Sequence, residues 1–233
     1  MTTTEPSTAS TRRQPGPPLA PIAIVTMALF MMSLTIPLLL AGTTYPSPFG
    51  EDRAILDYFR QNTAATTITA LLQFAAALPL AIYAAVSTTR LNRLGIRAPG
   101  VSIAFAGGIL SSAAMTISAF ASWGLTRPAT LADDALVRTL HDLAFISGGP
   151  GAVVPLGLLV AGIAVPGLLA GLLPRWLAIT GLVLAGIAVL GTLAVAVPAL
   201  AVLLPIARFP SMVWLIIAAL RLPKDRAPRN RTS

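Results

Sequence analysis

Apolar residues run through this chain in long blocks, and short polar stretches between them hold nearly all the charge. A helix needs about 20 consecutive apolar residues to cross a hydrocarbon core of roughly 30 Å. The blocks predict spans at about 19–40, 64–86, 100–124, 152–173, 176–200 and 204–222. Short alternating strands, the mark of a membrane β-barrel, are absent from the pattern. The expected fold is therefore all-α: a polytopic six-helix transmembrane bundle with short outer interfacial helices.

Two connections carry their own pattern. In "GTTYPSPFGEDRAILDYFRQN", Ile55, Leu56 and Phe59 share one helical face, with Asp52, Asp57 and Arg60 largely elsewhere. That spacing predicts a short amphipathic helix at the membrane surface. In "ADDALVRTLHDLAFISGGPG" a helix is expected over about 132–147, then a break. Pro150 disfavours helix at Gly149 and lacks a backbone donor. Counting back 20–22 residues from Pro174, Arg175 and Trp176 starts the fourth span near Ala152. This places "GGPG" at the outer interface and His141 beyond it.

The last block is the shortest. Phe209 to Leu220 alone would span about 18 Å at 1.5 Å per residue. The sixth span must begin near Leu204, with the Arg208 head snorkelling to the interface. Six spans put the N-terminal tail, Arg90, Arg93, Arg97, Arg175 and the C-terminal tail on one side, with 11 of the 16 Lys and Arg. Arg53, Arg60, Arg127, Arg138 and Arg208 fall on the other. Excess Lys and Arg marks the cytoplasmic side, so both termini are expected inside. Residues 1–18, rich in Thr, Ser and Pro, are expected to form a disordered cytoplasmic tail. Residues 19–222 form the six-span domain, and 223–233 a basic cytoplasmic tail. The first block is longer than the ~7–15-residue core of a signal peptide and is expected to remain as a span.

Composition sharpens this picture. Of 233 residues, 55% are hydrophobic and 10% charged, against about a quarter charged in soluble domains. Mean hydropathy is +0.81. The net charge of +8 would suggest nucleic acid in a soluble protein. Here the basic residues flank apolar blocks, without a basic face interleaved with aromatics. They predict topology and contact with anionic headgroups of the bilayer at the cytoplasmic face, and no nucleic-acid partner. With no cysteine, disulfides and thiolate chemistry are excluded.

Candidate chemistry is sparse. Asp134, Arg138, His141 and Asp142 gather on one side of the helix before "GGPG", with Leu136, Leu140 and Leu143 on the other. Asp134–Arg138 and Arg138–Asp142 are four apart and can pair. Histidine titrates near neutrality, so the outer polar cluster reads as a pH-sensing or binding group at an outer mouth. It also reads as the solvated face of an interfacial helix. No metal or cofactor site is expected: zinc takes three protein ligands, and this is the only histidine. "GGPG" lacks the lysine of a phosphate loop.

Within the membrane, Gln73 must find partners, as interhelical glue or as a substrate contact; Ser111, Ser112 and Thr116 are the expected ones. Gly107 with Ser111, Gly108 with Ser112, and Gly167 with Gly171 offer close-packing faces, expected to serve within one chain. Pro37, Pro79, Pro155, Pro166 and Pro198 are expected to kink their helices.

At "ADDALVRTLHDLAFISGGPG", "LLPRW" and "ARFPSMVWL" the chain resembles small uncharacterised multi-pass membrane proteins of actinobacterial type. The resemblance implies a multi-span fold in a bacterial inner membrane, and assigns no functional residue. Three function classes stay open: an accessory or lipid- or small-molecule-binding protein, a small-molecule transporter, and a membrane-embedded lipid-modifying enzyme. Catalysis is the least favoured, since ionisable residues are nearly absent from mid-membrane.

Overall fold

The computed structural model describes residues 17–223. The two expected tails lie outside the described residues, apart from Pro17, Pro18 and Pro223. The described chain is helical without strands, and six helical segments are long and apolar enough to cross a membrane. They are α1 (Leu19–Ala41), α3 (Thr63–Arg93), α4 (Pro99–Gly124), the pair α6 (Asp134–Gly148) and α7 (Pro150–Leu169), α8 (Arg175–Leu190) with a 3₁₀ turn at Gly191–Val195, and α9 (Leu203–Arg221) after a 3₁₀ turn at Pro198–Val202. The expected amphipathic helix is α2 (Asp52–Gln61), and a single turn, α5 (Pro128–Leu131), precedes α6. The chain is built as a multi-pass membrane protein.

The spans form a closed ring. Each packs on the next, and α9 returns to α1. Alternating direction puts α2, α5, the start of α6 and the 191–202 turns at one end, here the cap end.

Small residues set the closest approaches, because lipid provides no apolar drive for helices to associate. A Cβ on Gly107 would meet the Leu159 nitrogen and Pro155 carbonyl of α7 at 2.6 Å. One on Gly108 would meet the Ala84 Cβ of α3 at 2.3 Å. Gly162 of α7 lies as close to α4, with the Ala104 nitrogen at 2.5 Å. The two small-residue pairs of α4 thus face different neighbours. Ser111 donates to the Ala152 carbonyl at 2.8 Å, and Ser112 to the Ala77 carbonyl at 2.7 Å. Gly167 abuts Leu173, whereas Gly171 supplies a left-handed turn at φ 64. Near the other end, Tyr83 donates to the Leu215 carbonyl at 3.0 Å, and the Trp214 indole to the Leu177 carbonyl at 2.7 Å. These bonds hold α9 to α3 and α8.

The fourth span departs from expectation. Its break falls at Gly149, with φ −82 and ψ −105 between two helices, so the predicted joint is present. Its depth is different. Gly148 faces Ser118, and a Cβ on Gly151 would lie 3.7 Å from the Ala114 Cβ. Ser118 and Ala114 stand 6 and 10 residues inside the end of α4. At 1.5 Å per residue, the break is about 9–15 Å within the bundle. It is not at the interface. The count from Arg175 assumed a full span in α7, but α6 and α7 cross together and share the width.

Candidate functional site

The cap end is built from α6 and what lies over it. Asp133 starts α6, its carboxylate accepting from the Ala135 and Leu136 amides at 2.9 and 3.1 Å. Val137, His141, Ala144 and Gly148 recur at helical spacing and form its buried stripe. Leu136 and Leu143 point outward instead. In lipid the apolar face turns to the solvent hydrocarbon, and the small and polar face turns in.

His141 is consequently 1% exposed. This corrects its expected place on a solvated face. Its Nε2 lies 3.2 Å from the Pro46 carbonyl, and its ring packs on Phe59 and Tyr45, with centroids at 5.2 and 5.7 Å. A carbonyl partner assigns the proton to Nε2. Nδ1 is left buried without a hydrogen-bond partner.

The other members of the outer cluster act as straps. Arg138 pairs with Asp142 at 3.4 Å, as the spacing predicts. It also reaches Asp52 at 3.1 Å and donates to the Pro48 carbonyl. Asp134 pairs with Arg60 of α2 rather than with Arg138. Arg60 donates as well to the Leu131 carbonyl at 3.3 Å. Asp134 and Arg138 therefore tie the 42–51 segment and α2 down over α6, with Asp142 bracing Arg138 from the same helix. Tyr45, Tyr58 and Phe59 complete an aromatic cap, with Tyr45–Phe59 at 5.5 Å and Tyr45–Tyr58 at 5.7 Å. Burial pushes the Tyr45 phenol above its ordinary range, only partly offset by a hydrogen bond with Ser122. Burial raises the Tyr58 phenol too.

Beneath the cap is a cavity of about 340 Å³. Gln73, Ser118, His141 and Arg208 all line it, together with Tyr45 and Ser122. Gln73 donates to Ser118 at 3.2 Å, and Ser118 donates to the Ala144 carbonyl at 2.7 Å. The amide does find a serine of α4, but it is Ser118, two residues past Thr116, rather than the expected Ser111, Ser112 or Thr116. Ser111 and Ser112 bond neighbouring backbones, and Thr116 bonds its own helix at Ser112. The rest of the wall is mostly apolar, from Phe30, Leu34 and Leu38 of α1 to Leu204 and Phe209 of α9, with Ser33 and Thr69 among it.

Arg208 is the second correction. Its head does not reach for the interface. It donates to the Gly148 carbonyl at the end of α6 and stacks over Phe30, 4.8 Å from the ring centroid. The signal was present in the sequence. Leu204, Arg208, Ser211 and Leu215 recur on one helical face, and the other three are buried. Tyr45, Ser118 and Ser122 carried no comparable signal, since only tertiary packing brings them to the cavity.

Six apolar spans ringed about a mostly apolar cavity with a few polar groups define a multi-pass membrane protein. Compared with protein-family models, curated proteins and solved structures, the chain matches none.

Proposed function

We propose that this is a binding protein for a small amphiphilic molecule, seated in a bacterial cell membrane with both termini cytoplasmic. The observation that carries the reading is the cavity itself. Small-molecule sites are concave, mostly apolar and furnished with a few convergent polar groups, at about 300–1,000 Å³. Here 340 Å³ of space joins apolar walls to Gln73, Ser118, His141 and Arg208. Among the described residues no carboxylate lines it to pair with His141 as a general acid–base couple, which favours recognition. The excess of Lys and Arg at the ends and at the loops opposite the cap supports the orientation, with the cavity in the outer half.

Mass spectrometry of gently purified protein tests the reading. A stoichiometric lipid or metabolite is expected, and its loss on filling the cavity with Ser118→Phe. Protein that purifies empty, and takes up no amphiphile added afterwards, would count against it. Single cysteines in this cysteine-free chain map orientation: one at Ser47 should label from outside, and one at Thr89 from inside.

A transporter is the second reading, and the broken α6–α7 span favours it. Irregular backbone at membrane depth is tolerated where it lines a cavity, and transporters place substrate at such breaks. Flux in proteoliposomes of whichever molecule co-purifies distinguishes carriage from binding alone.

A further inference from the structure

Arg208 is a charge inside a span, and the protein only partly compensates it. A guanidinium offers five N–H donors. The structure records one hydrogen bond for it, from Nη2 to the Gly148 carbonyl, and one ring face, Phe30. Among the described residues no carboxylate pairs with it. Four of the outer carboxylates pair with other arginines: Asp52 and Asp142 with Arg138, Asp134 with Arg60, and Asp57 with Arg53 at 4.0 Å, while Asp133 caps α6. Leaving such a charge in a span uncompensated is costly, and arginines there mark ligand paths or find a counter-charge.

The space beside it is equally specific. Arg208 lines the cavity with Gln73 and His141, and His141 holds a buried Nδ1 without a partner. From this polar end the wall runs apolar along α1 and α9. Leu34, Leu38 and Pro205 line it and remain exposed, so the seam between these two helices does not close over the cavity. A path of that kind suits a tail lying against lipid while its head sits inside.

Resting on the binding reading above, we infer that the ligand is an anionic amphiphile, its carboxylate or phosphate paired with Arg208 and its tail in the α1–α9 seam. The planar fork of arginine matches both headgroups through two parallel N–H···O bonds. Gln73 adds an amide donor. The Phe30 face and the Gly148 carbonyl hold the guanidinium in place for the ligand.

The test uses full-length protein in phosphatidylcholine nanodiscs, titrated with oleate, dodecyl phosphate, oleyl alcohol and inorganic phosphate. Oleate and dodecyl phosphate are expected to bind about tenfold or more tighter than oleyl alcohol, the scale of a charge-assisted hydrogen bond. Inorganic phosphate should compete weakly. In Arg208→Gln, which removes the charge and keeps a polar side chain, the preference for the anion over the alcohol should vanish. The wild-type comparison of acid with alcohol stands even if that variant fails to fold. Equal binding of oleate and oleyl alcohol would overturn the anionic inference and leave the amphiphile reading intact. An anion preference retained in Arg208→Gln would remove Arg208 as its partner. Inorganic phosphate competing as well as dodecyl phosphate would exclude the tail and make the site one for small anions. Failure of every amphiphile to bind would overturn both readings.

Discussion

Gln73 and Ser118 meet across α3 and α4 with Nε2 and Oγ 3.2 Å apart, and Ser118 donates its own hydrogen bond to the Ala144 carbonyl of α6. Three helices are thereby joined at one point in the cavity wall, beside Gly148. A Cβ on Gly148 would sit 2.3 Å from that same serine oxygen.

Gln73→Leu should cost the bundle about 1 kcal/mol, the ordinary scale of an interhelical hydrogen bond in a membrane. Ligand affinity should fall as well, because the cavity loses its amide. Thermal unfolding in detergent alongside a binding titration separates the two. A variant unchanged in both would remove Gln73 from either role.

His141→Ala should loosen the cap without unfolding the ring. The variant loses the Pro46 contact and the ring packing on Tyr45 and Phe59, leaving a void that costs about 2 kcal/mol or more. A single cysteine at Ser47 should then label several-fold faster than in the parent. Equal labelling rates would show that the Arg138 and Arg60 straps hold the segment alone. Asp134→Asn should have a smaller effect, since its pair with Arg60 is largely exposed.

Two glycines, one in the α4–α7 seam and one on the open face of α8, predict opposite signs for the same substitution. Gly162→Ala should destabilise by about 1–3 kcal/mol, since its methyl would lie 2.5 Å from the Ala104 backbone nitrogen. Gly186→Ala meets nothing within 4 Å and replaces a glycine in the interior of α8. It should stabilise by about 0.5–1 kcal/mol. Melting temperatures of the two variants decide the point.

The cap tyrosines give a pH signature. Burial raises both phenols above the ordinary 10.0, so the folded state holds their protons more tightly than the unfolded chain. Their contribution is complete below about pH 10 and is lost as pH rises beyond it. Stability measured from pH 9 upward should fall, and Tyr45→Phe should make that fall shallower. An identical pH profile in Tyr45→Phe would place the loss elsewhere.

The sequence alone determined the class. Blocks of twenty apolar residues have one use, since lipid cannot satisfy an unpaired backbone and only helices of that length close their own bonds within it. Gly107, Ser111, Gly108 and Ser112 were legible as packing positions for the same reason: few side chains permit such an approach. What the sequence left undecided was direction. A helical wheel sorts residues by side and does not say which side is inside. For α6 His141 turned in, while Leu136 and Leu143 stayed exposed along with Asp134 and Asp142. For α9 the same inversion carried Arg208 inward to the Gly148 carbonyl. Depth was the other unknown, because α6 and α7 share one crossing and bring "GGPG" well below the surface. Only the closed ring, packing α6 against α4 under the α2 cap, gathered Gln73, His141 and Arg208 around one cavity.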